Sequence, residues 1–135
     1  MIKFDYRKEI SRSGEVIFRP TAKVYLFKSE NEWIAEYFYI DSGADYTLIP
    51  YRMGCFLGLD RTALEIREMG GIGGFIPVRF AVIPMKIEKY KFDCKVAWAQ
   101  IEKVPFLLGR ENVFDYFDIT FHQRKKNTIF IWYKK

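Results

Sequence analysis

Apolar residues in this chain recur at every second position, in short runs cut by turn residues, and almost never at helical spacing. Period two sends neighbouring side chains to opposite faces, which is the pattern of half-buried strands. Strands are expected at residues 2–7, 15–19, 22–28, 33–40, 75–88, 90–99, 117–122 and 128–133. Residues 33–40 (WIAEYFYI) carry the strongest signal. Pro20 separates two of these runs. Pro77 and Pro84 lack the amide donor a ladder needs, so the run 75–88 is expected to be broken, with edges or bulges. Gln123 to Asn127 read as a hairpin-like connection. Helical signals are few: Asp60 can cap a turn through Thr62 to Glu68, and residues 110–116 can form another after Gly109. Many short strands with one or two short helices point to an all-β, small closed or nearly closed barrel, in one domain over residues 1–135.

Composition narrows the function classes. Half of the 135 residues are apolar and 19% are aromatic, enough for a sizeable core and against disorder. The net charge of +5 permits an anionic partner without requiring one. Arg124-Lys125-Lys126 and Lys134-Lys135 read as a solvated turn and tail. Cys55 and Cys94 stand far apart with no Cys-x-x-Cys pair, so no zinc site is expected and both thiols are expected reduced and packed in the core. Asp and Glu show no metal-ligand spacing, and no cofactor is expected. His122 is the single histidine, which leaves no convincing Ser-His or Cys-His pair. The N-terminal residues alternate and carry charge, unlike a secretory leader, and no apolar run approaches the ~20 residues of a membrane span. A cytoplasmic protein without a membrane partner is the expectation. Trp33, Trp98 and Trp132 are expected in the core or an interface. No basic residues interleave them on one expected face, so no nucleic-acid partner is expected.

Three local features carry chemistry. The apolar run 33–40 ends directly on Asp41-Ser42-Gly43-Ala44, and Thr47-Leu48-Ile49-Pro50 then turns apolar again. About thirty residues on, Met69-Gly70-Gly71-Ile72-Gly73-Gly74 holds four of the nine glycines. Glycine lets a backbone approach a ligand closely. No Gly-Lys-Ser/Thr follows it, so a flexible hairpin tip suits this stretch better than a phosphate loop. Finally, Val104-Pro105-Phe106-Leu107-Leu108-Gly109-Arg110 places two large apolar residues before Gly-Arg.

In order and spacing, these features resemble the retroviral-type aspartic proteases (retropepsins), whose pattern is Asp-Ser/Thr-Gly-Ala, a flap, then apolar-apolar-Gly-Arg before a short helix. The resemblance covers roughly residues 22 to 133. It implies a small barrel with a glycine-rich flap hairpin and an endopeptidase acting on peptide or protein substrates. A pepsin-like chain carries two Asp-Ser/Thr-Gly motifs. This chain carries one, so the resemblance implies a C2 homodimer with an Asp41 from each copy on the twofold axis. Two adjacent carboxylates cannot both ionise, so one keeps a proton while the other acts as base. Gly43 allows a tight turn, the Ser42 hydroxyl can bridge to the facing loop, and Ala44 is small where substrate passes.

The resemblance also implies roles for other residues. Asp45 lies beside the substrate path and pairs with Arg110, in an ion pair expected to be partly buried and able to be bidentate. Leu107, Leu108 and Gly109 cross beneath the catalytic loop. Gly70 to Gly74 fold over a bound peptide, with Gly71, Ile72, Gly73 and Gly74 reaching it and Ile72 at the centre. Residues 128–133, an exposed edge unless covered, are expected at the dimer interface. Tyr46 stands where a second carboxylate is common, and an extra, partly helical segment spans Tyr51 to Arg67. These departures fit a cellular, bacterial or archaeal relative better than a viral one. A protease-fold module that binds peptide or dimerises without hydrolysis is the alternative function. A small basic barrel for nucleic acid would explain charge and aromatics but neither Asp41 to Asp45 nor Leu107 to Arg110.

Overall fold

A computed structural model describes residues 1–71 and 74–133. Its strands in chain order are β1 (Ile2–Asp5), β2 (Arg7–Ile10), β3 (Val16–Arg19), β4 (Thr21–Ser29), β5 (Glu32–Ile40), β6 (Thr47–Ile49), β7 (Ile66–Gly71), β8 (Gly74–Ile87), β9 (Tyr90–Ala99), β10 (Leu107–Leu108), β11 (Phe117–His122) and β12 (Asn127–Trp132). Helices α1 (Tyr51–Phe56) and α2 (Val113–Tyr116) are short. Strands make up 59% and helix 10%.

Six strands close a barrel in the order β4-β5-β10-β6-β9-β8, and β8 returns to β4 through Tyr25 opposite Lys86 and Leu26 opposite Met85. β7 lies outside the ring on β8, and β2 and β3 form a separate hairpin. The barrel fills with the inward side chains of its strands, among them Leu26, Phe38, Met85 and Trp98, all fully buried. A three-stranded sheet, β1-β12-β11, docks on the same core through Phe117 and Phe130. Trp132 of this sheet stacks on Tyr90 of the barrel, with ring centroids 5.0 Å apart.

Several sequence expectations change. Residues 62–68 are not helical: Asp60 accepts from the Thr62 amide at 2.9 Å, but only a turn follows before β7 begins. The pairing of Ile66–Gly71 with β8 claims those residues for a strand. The helix in this region, α1, instead starts just after Pro50. Its Gly54 lies against Trp98, where a Cβ would come within 2.1 Å of the indole nitrogen. The run 75–88 is unbroken. Pro77 precedes the first pairing of β8 with β9, and Pro84 falls after the β7 ladder ends and before the β4 contact begins, so each proline has one flank without a ladder. The stretch 2–7 breaks at the buried Tyr6, whose amide donates to the Lys126 carbonyl at 2.8 Å. Residues 128–133 do not form an exposed edge: β12 is the central strand of its sheet, paired on both sides within the chain.

The cysteines separate. Cys94 is fully buried on β9, but Cys55 is exposed on α1 rather than packed in the core, because one short helix leaves its outer face to solvent. Burial pushes the Cys94 thiol up to about 12. A thiol reagent at neutral pH is therefore expected to label Cys55 alone in the native protein, and both cysteines in denaturant, as counted by mass spectrometry. Among the described residues, no helix is long and apolar enough to cross a membrane.

Candidate active site

Asp41 follows the last residue of β5 and opens a tight turn. The turn closes on itself: the Gly43 amide donates to Asp41 Oδ1 at 2.9 Å, and the Ala44 amide to the Asp41 carbonyl at 3.2 Å. A Cβ on Gly43 would lie 3.3 Å from Asp41 Oδ1, so a side chain there would press on the carboxylate.

β10 holds this turn from below. It runs parallel to β5 and antiparallel to β6, bridging the strands that enter and leave the turn. The Asp41 amide donates to the Leu108 carbonyl at 3.0 Å, the Arg110 amide to Ala44 at 2.9 Å and the Glu111 amide to Asp45 at 2.9 Å. Gly109 crosses so closely that a Cβ would lie 2.3 Å from the Tyr46 carbonyl carbon. Its amide donates to the buried Thr47 hydroxyl at 3.1 Å. The crossing expected of Leu107, Leu108 and Gly109 is thus present in the chain.

Asp45 and Arg110 meet, in one contact between Arg110 Nη2 and Asp45 Oδ1. The pair is not buried: the side chains are 72% and 53% exposed, and it rests on a single nitrogen–oxygen contact rather than a bidentate fork. Water screens such a pair, while the neighbouring backbone bonds fix the loop. Replacing Arg110 by Ala is expected to lower stability by less than about 1 kcal/mol in denaturant unfolding.

A cleft of about 770 Å³ opens beside Asp41. Gly43, Ala44 and Asp45 form its rim with Asp41, and Leu48, Phe80 and Leu107 form an apolar floor. Tyr46 packs edge-on against Phe80 with centroids 4.9 Å apart, so it extends this floor in place of a second carboxylate. The roof is the β7–β8 hairpin, which contributes Arg67, Glu68, Met69, Gly70 and Gly71. Gly71 pairs with Gly74 at the hairpin's tip. Phe75, 73% exposed, covers Gly70, where a Cβ would come within 2.9 Å of its ring. Arg79 ties the hairpin's base down by donating to the Leu64 carbonyl and to Gln100 Oε1. Ile72 and Gly73 lie outside the described residues.

The fold therefore gathers Asp41, Gly43, Ala44, Asp45 and Gly71 around one cleft. Ser42 is exposed beside it, and its hydroxyl has no partner among the described residues. Gly74 is at the tip without lining the cleft, and Leu108, Gly109 and Arg110 act from beneath. Sequence reading missed Thr47, taken as part of an apolar run. It also missed Met69 and Phe80, although their alternation on β7 and β8 carried the signal. Among the described residues no group of three or more His, Cys, Asp or Glu could hold a metal ion. Asp41, Asp45 and Glu68 are the carboxylates that line the cleft, and Asp45 is the one held by Arg110. No protein-family model matches the chain, and no curated protein matches it.

Proposed function

We propose that this protein is an aspartic endopeptidase of the retropepsin type, active as a C2 homodimer. The observation that carries the reading is the placement of Asp41: a carboxylate on a turn clamped by β10, at a cleft roofed by a glycine-bearing hairpin. The exposed Ser42 hydroxyl, without a partner among the described residues, supports it, because a facing copy would supply one.

In this reading the two Asp41 carboxyls hold a water between them. The ionised one takes a proton from that water as it attacks the peptide carbonyl carbon. The protonated one gives its proton to the carbonyl oxygen. As the carbon–nitrogen bond of the gem-diol breaks, the carboxyl protonated by water gives its proton to the leaving nitrogen and the ionised one takes a hydroxyl proton, which leaves one acid and one base again. The hairpin closes over the peptide and excludes bulk water. Leu48, Phe80 and Leu107 offer the peptide an apolar surface, and Asp45 and Arg67 bring charge to its rim.

The test is cleavage of a diverse peptide pool across mildly acidic to neutral pH, with Asp41→Asn alongside. Cleavage by the wild type alone is the expected outcome. Cleavage retained by the variant refutes the reading. Silence in both, with peptide still bound, would leave a binding module on the same scaffold.

A further inference from the structure

A second surface lies on the outer wall of the barrel, at the far end from Asp41. Trp33 and Asp41 stand at opposite ends of β5, about 27 Å apart at the usual rise of a strand. On β4 the buried apolar side chains are Ala22, Val24 and Leu26, so Lys23, Tyr25 and Phe27 point outward. The ladder sets Tyr37 opposite Lys23 and Trp33 opposite Phe27. Barrel closure then brings Lys86 of β8 beside Tyr25, and Lys91 of β9 beside Lys86.

The result is a set of rings interleaved with cations. Lys86 Nζ lies 4.5 Å from the Trp33 ring centroid and 5.3 Å from that of Tyr25. Lys91 lies 5.8 Å from Trp33, and Lys23 lies 5.5 Å from Tyr25. Phe27 braces Trp33 edge-on at 5.4 Å, and both line a shallow groove of about 360 Å³ with Lys91. Asp93 is the carboxylate on that groove. Lys23, Lys86 and Lys91 form no ion pair among the described residues; the neighbouring Glu32 pairs with Lys28 at 3.6 Å. Tyr37 is 50% exposed. The interleaving that the sequence did not reveal for the tryptophans is therefore present at Trp33.

We propose that this wall binds single-stranded nucleic acid, with phosphates on Lys23, Lys86 and Lys91 and bases against Tyr25, Trp33 and Tyr37. Uncompensated ammonium groups call for an anionic partner. Tyr37 is the exposed ring, and the half-buried Tyr25 and Trp33 add aromatic surface of the kind that splayed bases use and a duplex hides, once their lysines turn to phosphates. An acidic peptide would engage the lysines and leave the rings without a role. The site is remote from the cleft and does not depend on the peptidase reading.

The test is fluorescence anisotropy of a labelled oligothymidylate with the full chain, from low to physiological salt. Three phosphate contacts give a log affinity against log salt slope of about −2, and Lys86→Gln should reduce it to about −1.4. Trp33→Ala should weaken binding about tenfold, with most of the affinity retained in Trp33→Phe. If Trp33→Ala lowers the melting temperature, Trp33→Phe and Lys86→Gln still decide the matter through affinity and slope. No binding at low salt overturns the proposal. So does displacement by polyglutamate as effective as by unlabelled oligonucleotide, which would assign the wall to acidic peptides. An affinity indifferent to both Trp33→Ala and Lys86→Gln overturns it as well.

Discussion

Asp41→Asn is expected to reduce peptide cleavage at least about 10³-fold, the scale on which positioned acid–base groups act. The substitution keeps shape and volume. An Asn oxygen can still accept from the Gly43 amide, the bond that holds the turn at 2.9 Å. Stability should therefore stay within about 0.5 kcal/mol of wild type, as for surface changes that break no buried contact. What is lost is chemical: an amide neither takes a proton from water nor lends one. Matched melting curves and peptide turnover separate the two effects. A variant that cleaves at a tenth of the wild-type rate would show that another group activates the water.

Gly109→Ala is expected to have the largest effect on stability tied to the site. The added methyl would lie 2.3 Å from the Tyr46 carbonyl carbon and oxygen and 2.8 Å from the Thr47 nitrogen. These are backbone atoms of a clamped turn, so no flexible side chain can swing away. Either β10 or the turn must move, and both carry Asp41. Overpacking of this kind costs about 3 kcal/mol at the upper end of its usual range. For a domain of this size that lowers the melting temperature by roughly 10 °C. Activity should fall even below that transition, because the Leu108 bond to the Asp41 amide shares the strand that shifts. A melting temperature and activity equal to wild type would show that the crossing is looser than the geometry implies.

The parts of the fold that were legible in the sequence are those set by local rules. Alternation over 33–40 and 90–99 matched strands with close to the observed limits, although β9 buries both faces from Val96 to Ala99. Asp41 to Ala44 as a tight turn was readable from Gly43, while Leu107 to Gly109 as the strand beneath it was implied only by the resemblance that their order carries. Parts that depend on distant partners were not. Thr47 looked like one more member of an apolar run. Its hydroxyl matters because Gly109, sixty-two positions later, donates to it, and Cys94 lies within 3.8 Å. The helix was sought at Asp60, which has a good capping side chain, yet strand pairing by β8 took those residues and α1 formed behind Pro50. Residues 128–133 looked like an edge because nothing in their own pattern announces that β1 and β11 flank them. Lys86 and Lys91 reach Trp33 only because β8 closes on β4.

The proposed shared dyad is tested most directly by mixing. Wild-type chain is combined with increasing Asp41→Asn at constant total concentration, allowed to exchange, and assayed for cleavage. If each active site needs Asp41 from both copies, activity falls with the square of the wild-type fraction, to about a quarter at equal parts in a randomly exchanging dimer. A linear fall to about half would mean that each chain works with its own carboxylate, and would contradict a site built on the twofold axis.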